Sequence, residues 1–169
     1  MPADAMPRHA TAADPTPAGA TPGEATPGHA TPADRMSLPD LLVAAIALVR
    51  DRRVLMVTAR DREVYYMPGG KIDHGETAAE AAAREALEEV ALVLDPAELD
   101  ELFEVVVQAH GEPDGRLVRM RVFRAETDAT PFASTEVDAL HWVTTADSHR
   151  CPPAGAEVLA RLAASGIID

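Results

Sequence analysis

The stretch from Gly69 to Leu92 constrains this chain more than any other. Thr77 followed three residues later by Glu80 is a capping box, and Ala78 to Val90 is dense in Ala, Glu, Arg and Leu, which predicts a helix. Ahead of it, Pro68-Gly69-Gly70 must end the short extended piece Val64–Met67, and the glycines supply backbone that can approach a ligand or lend it a carbonyl. Within the helix, Glu85, Glu88 and Glu89 are spaced i, i+3 and i+4. That spacing puts three carboxylates on one side within about 6 Å of one another, at a cost of a few tenths of a kcal/mol per like-charged pair. Only Arg84 lies close in sequence to balance them. A helix that keeps three acids together beside an alanine-rich face is holding something positive, and hard divalent cations, Mg²⁺ above all, take such oxygen ligands.

Around this stretch the chain reads as α+β. Leu41–Val49 and Val54–Ala59 predict strands joined by the polar turn Arg50-Asp51-Arg52-Arg53. Leu102–Ala109 and Leu117–Ala125 predict paired strands around Glu112-Pro113-Asp114-Gly115. Ala139–Thr144 is a further strand, and a closing helix runs from about Ala154 to Ala164, ended by Gly166. Strands, helix, strands, helix imply a mixed sheet with helices packed on it.

Residues 1–35 are different. Thr-Pro recurs every five residues at Thr16-Pro17, Thr21-Pro22, Thr26-Pro27 and Thr31-Pro32, among Ala and Gly with almost no large apolar side chains. Such a segment is expected to be disordered, leaving residues 36–169 as the one globular domain. Met36 is expected to be the true start; N-terminal mass analysis of the native protein checks it, and a peptide covering residues 20–30 would contradict it.

The formal net charge of −13 repels phosphate backbones, which argues against a nucleic-acid polymer as partner. It does not exclude a phosphate substrate, because a divalent cation reverses the local sign of a carboxylate-lined site. No apolar run approaches a membrane span, the single Cys151 excludes an intrachain disulfide, and the N-terminus lacks the pattern of a secretory signal. A cytoplasmic protein without a membrane partner is the expectation.

The 23 residues from Gly70 to Leu92 resemble the Nudix box, G-x5-E-x7-R-E-U-x-E-E-x-G-U with U aliphatic. Gly70, Glu76, Arg84, Glu85, Glu88 and Glu89 stand at six of its seven fixed places, and Ala86 and Leu92 at its aliphatic ones. Ala91 departs, standing where the family has a glycine for a left-handed helix exit; alanine there costs about 1 kcal/mol and removes no metal ligand. The resemblance implies a Nudix-type α/β/α sandwich with a mixed sheet. It implies a Mg²⁺-dependent pyrophosphohydrolase, with Mn²⁺ as a substitute ion, acting on a small nucleotide-type substrate. The metal site it implies is Glu85, Glu88, Glu89 and the Gly70 carbonyl. Glu76 and Arg84 become orienting partners of the loop and the acids. A further acid outside the box commonly completes the site; Glu136, six residues before Trp142, is the first candidate and Glu126 the second. Either Glu85 or Glu136 then serves as general base.

Four cations are candidates for holding phosphate or base: Lys71, Arg60, Arg119 and Arg121, the last two alternating with Val118, Met120 and Val122 and so sharing one strand face. Of Tyr65 and Tyr66, one is expected inside and the other available to stack on a ring. The histidines show no metal-ligand spacing, and Cys151 has no partner base. Gly70-Lys71-Ile72 and Cys151-Pro152-Pro153-Ala154-Gly155 resemble the branch that sanitises oxidised nucleoside triphosphates. Gly155, however, stands about where guanine readers of that branch carry an asparagine, so the substrate is left open. The alternative is a non-catalytic, nucleotide-sensing Nudix-like module; retention of every box glutamate speaks against it. Association as a homodimer is the one macromolecular partnership kept in view.

Overall fold

Strand β1 (Leu41–Arg50) organises the molecule, and its composition says why: from Ala44 to Leu48 five consecutive residues are buried, so the strand is covered on both faces. In the computed structural model, which describes residues 38–59 and 63–169, it is followed by β2 (Arg53–Ala59), β3 (Gly69–Lys71), helix α1 (Ala78–Val90), β4 (Asp100–Gln108), β5 (Leu117–Ala125), β6 (Val137–Val143) and helix α2 (Pro153–Ala164). The sheet order is β4-β5-β1-β2-β6, with β3 also beside β1. β1 runs parallel to β5 from Leu41 to Leu48 and antiparallel to the others it meets: β3 at Val43–Ala45 and β2 at Val49–Arg50. One strand thus changes partners along its length and joins two half-sheets.

Side-chain alternation on these strands divides the core. Ala44, Ile46, Leu48, Leu55, Val57 and Phe123 pack with Ala78, Ala81, Ala82, Ala86 and Val90 of α1. Ala45, Ala47, Val54, Met56, Val105 and Val122 pack with Ala154, Val158, Leu159 and Leu162 of α2. The result is an α/β/α sandwich around a mixed sheet, as the resemblance implied. Alanines on β1 and α1 let the helix backbone sit close to the strand, which matters because the site lies at that contact.

Helix α1 covers the residues expected, and its capping box is formed: Glu80 N–H donates to Thr77 Oγ1 at 3.2 Å and Thr77 N–H to Glu80 Oε2 at 2.8 Å. The expectation that the extended piece Val64–Met67 ends at Pro68-Gly69-Gly70 needs correction. There only Tyr66 makes a bridge, to Val57, and the strand proper is Gly69–Lys71, built from the residues expected to break it. Close packing is the reason: a Cβ at Gly69 would lie 2.6 Å from Ala45 Cα. β6 also begins two residues earlier than expected and ends at Val143. The β1–β2 turn holds Asp51 and Arg52 at φ 48° and 58° with no glycine. The chain end clasps this turn, since Arg52 donates to Gly166 O at 3.0 Å and Ile168 O at 3.2 Å, and Asp169 N–H returns to Arg52 O at 3.0 Å.

The helix exit at Ala91 is left-handed, φ 56° and ψ 32°, and is closed by Ala91 N–H to Leu87 O at 3.2 Å and Leu92 N–H to Ala86 O at 3.1 Å. Alanine is therefore strained there and exposed. Ala91→Gly relieves the strain against a smaller entropy loss, and equilibrium urea unfolding should show a gain of about 0.5–1 kcal/mol; an unchanged or lower midpoint would contradict this.

Candidate metal and substrate site

The site assembles where the first two turns past Arg84 meet the β3 glycines. Arg84 is its hub. Nε and Nη2 donate to the two Glu76 carboxylate oxygens at 3.0 Å each, Nη2 also to Lys71 O at 3.0 Å, and Nη1 to Glu85 Oε1 at 2.7 Å. Nη1 reaches Glu88 Oε2 at 3.4 Å. One guanidinium thus ties the last β3 residue, the connecting loop and the helix acids together, through the planar fork that suits carboxylates. Glu76 in turn accepts from Asp73 N–H at 3.1 Å, and the Arg84 hydrogen bond holds its carboxyl below the usual glutamate range.

Glu85 is only 14% exposed and lies against Gly70 so closely that a Cβ on Gly70 would run into its carboxylate; Glu88 is 48% exposed. Glu89 accepts from the neighbouring Gly69 N–H at 2.9 Å. Burial pushes its carboxyl up to about 7, against the Gly69 hydrogen bond and helped by the charges of Glu85, Glu136 and Glu88. Glu136 therefore stands within electrostatic reach of Glu89, on the segment leading into β6. Glu126 does not join them: it is exposed and paired with Arg124 at 2.7 Å.

Among the described residues no three acids are drawn into a ready-made cage; Arg84 is paired with two of the helix acids, Glu85 and Glu88. The donors nevertheless fit a hard divalent cation. They are oxygens without exception, a backbone carbonyl with no Cβ in its way is among them, and among the described residues no cation is paired with the half-buried Glu89 carboxylate.

Beside these residues opens a cavity of about 400 Å³, lined at one end by Gly69, Gly70, Lys71 and Glu89 and elsewhere by Val43, Val57, Tyr66, His110, Met120, Pro152, Ala154 and Gly155. Lys71, a candidate phosphate contact, is exposed and lines this cavity. Arg60 lies outside the described residues. Arg119 and Arg121 are corrected: they line none of this cavity. Arg119 is bonded to Asp40 at 2.8 Å and Glu104 at 3.3 Å, and Arg121 to Glu101. The alternation that puts both arginines on one strand face puts Met120 on the other, and it is Met120 that faces the cavity. The tyrosines divide as expected. Tyr65 is buried, stacked on His141 at 4.2 Å with Arg150 over it at 4.1 Å, whereas Tyr66 lines the cavity in an edge-to-face pair with His110. Burial raises the Cys151 thiol to about 11, which disfavours the reactive thiolate.

The NUDIX domain family matches residues 40–162, nearly three-quarters of the sequence. This chain belongs to the Nudix hydrolase family. A Bacillus subtilis (strain 168) protein named "Putative 8-oxo-dGTP diphosphatase" is 46% identical over 44 residues, a segment spanning 26% of this chain and 30% of that relative. The Nudix fold is also that of the Escherichia coli ORF135 protein (TM-score 0.61, 22% identity, 76% of this chain and 91% of that one). It is shared by the MutT protein of Methanosarcina mazei Go1 (0.61, 19%, 76% and 96%) and a Caenorhabditis elegans Ap4A hydrolase (0.57, 19%, 73% and 96%).

The raised Glu89 carboxyl sets a pH signature in the absence of divalent ions. Between the ordinary value near 4.5 and about 7, the folded protein binds this proton and the unfolded chain does not, so stability falls as pH rises through that window. Urea unfolding in EDTA should show a loss of about 1–2 kcal/mol from pH 4.5 to 8, a range lowered for the partial exposure of the group, and Glu89→Gln should flatten it. An equally steep profile in the variant would contradict the assignment.

Proposed function

We propose that residues 36–169 form a divalent-metal-dependent hydrolase that cuts the pyrophosphate bond of a nucleoside diphosphate linked to another group, such as a nucleoside triphosphate or a derivative. One observation carries this reading: the all-oxygen cluster and the apolar cavity share Gly69, Gly70 and Glu89, so a molecule seated in the cavity presents its phosphates to the acids. The names of the relatives, an 8-oxo-dGTP diphosphatase and an Ap4A hydrolase, agree in being phosphoanhydride-cleaving activities on nucleotides.

In this reading Gly70 O, Glu85, Glu88 and Glu89 hold the ion, Mg²⁺ first and Mn²⁺ as substitute. When bound, the ion supplies charge neutralisation and Lewis acidity at the phosphates. Arg84 and Glu76 fix the loop so that the acids keep their register with β3. Glu136 is the better general base of the two candidates, since the Glu85 carboxylate is engaged by Arg84 and packed on Gly70. Lys71 meets phosphate at the mouth, and Tyr66 and Met120 contact the organic group. The described helices include none long and apolar enough to cross a membrane, in keeping with the cytoplasmic location proposed.

Purified protein should release phosphate or pyrophosphate from at least one member of a panel of nucleoside di- and triphosphates, dinucleoside polyphosphates and nucleotide sugars. Release should stop in EDTA and resume with Mg²⁺ or Mn²⁺. Glu89→Gln should lower kcat on the order of 10²-fold or more while circular dichroism is unchanged. Measurable nucleotide binding without turnover of any compound would favour the sensing module instead.

A further inference from the structure

Between Ala125 at the end of β5 and Val137 at the start of β6 the chain has neither helix nor strand, yet it carries Glu136, two residues past a backbone hydrogen bond to Glu89. A charged residue on an irregular, largely exposed segment has no fixed position unless the backbone is tied down, and here it is tied at two places. At the far end, Arg50 Nη2 donates to Ala129 O at 2.6 Å and Thr127 O at 3.2 Å. Its guanidinium is itself oriented over the Trp142 ring, 5.6 Å from the centroid. At the near end, Phe132 N–H donates to Val90 O at 3.0 Å and Ser134 N–H to Glu89 O at 3.1 Å. Those acceptors are last-turn carbonyls of α1, which have no partner within the helix. The Phe132 side chain is 63% exposed, so backbone hydrogen bonds and the buried Pro131, not burial of the aromatic ring, seat this stretch.

We propose that residues 127–136 act as a positioning strap, and that Arg50, on the opposite end of β1 from the β3 glycines, is a positioning residue that works through Glu136. The inference rests on the hydrolase reading above. The strap runs from the carbonyl of a box glutamate, through Ser134, to Glu136 two residues on, so Glu136 follows the helix that carries the other acids. Arg50 closes the other end of the strap and limits its travel. Arg50 does not line the cavity beside Glu89; it meets the strap and Trp142 of β6, the two elements that flank Glu136.

The test is a double-mutant cycle on the full chain with Arg50→Ala and Glu136→Gln, alongside amide hydrogen exchange measured by NMR. Arg50→Ala should lower kcat about tenfold with KM within twofold. In the Glu136→Gln background the same change should alter kcat by less than twofold, because the group it positions is already disabled. Exchange at the Phe132 and Ser134 amides should accelerate at least tenfold in Arg50→Ala, while the Val57 and Tyr66 amides, paired with each other elsewhere in the sheet, keep their rates. Arg50→Lys, which retains one donor group, should recover part of both effects.

Equal losses of kcat in the two backgrounds would overturn the proposal, since a merely structural arginine acts additively; so would unchanged exchange at Phe132 and Ser134. A wild-type protein that turns over nothing would sink the hydrolase reading instead, and the exchange rates would still decide whether Arg50 holds the strap.

Discussion

A single guanidinium, that of Arg84, holds the site together, and much of the local structure is a consequence of its bonds. Its fork grips both oxygens of Glu76, the carbonyl of Lys71 and the carboxylate of Glu85, and so welds a loop, a three-residue strand and a helix into one body. Without it, Glu76 would lose its tie to the helix, and Glu85 would face its neighbouring acids without the cation that pairs with it among the described residues. Such a pair network, partly shielded from water and geometrically bidentate, is worth more than surface ion pairs of the same length.

The fold serves that junction by bringing two backbones unusually close. β1 is rich in alanine where α1 crosses it, and β3 is nearly side-chain-free, so helix, strand and strand approach to the distance at which Gly70 contacts the Glu85 carboxylate. The same thinness leaves room on the α2 side for the cavity. Close packing on one side of Gly69-Gly70 and open space on the other are what let one pair of glycines border both an acid cluster and an apolar pocket.

Much of this was legible in the sequence, for physical reasons that differ by residue. The helix, its cap and its left-handed exit follow from local interactions between residues a few positions apart, and the structure has them where Thr77, Glu80 and Ala91 indicate. The identity of β3 was not legible. Glycines ordinarily break strands, and only the tertiary contact with Ala45 reveals why these two form one. Arg119 and Arg121 were misassigned because alternation gives the shared face but not which face is the cavity; the partners Asp40, Glu101 and Glu104 are too distant in sequence to foresee. Met120 and Tyr66 carried the complementary signal, being the neighbours that point the other way. Arg50 gave none, as its acceptors are backbone carbonyls nearly 80 residues on.

The central claim is that Gly70 O, Glu85, Glu88 and Glu89 together form an oxygen cradle for one hard cation beside the cavity. Anomalous diffraction from a crystal soaked in Mn²⁺ tests it most directly. A strong peak is expected within coordination distance of the Gly70 carbonyl and the helix carboxylates, with Arg84 still bonded to Glu76. A map with no peak there, or with the ion held by acids elsewhere on the surface, would contradict it.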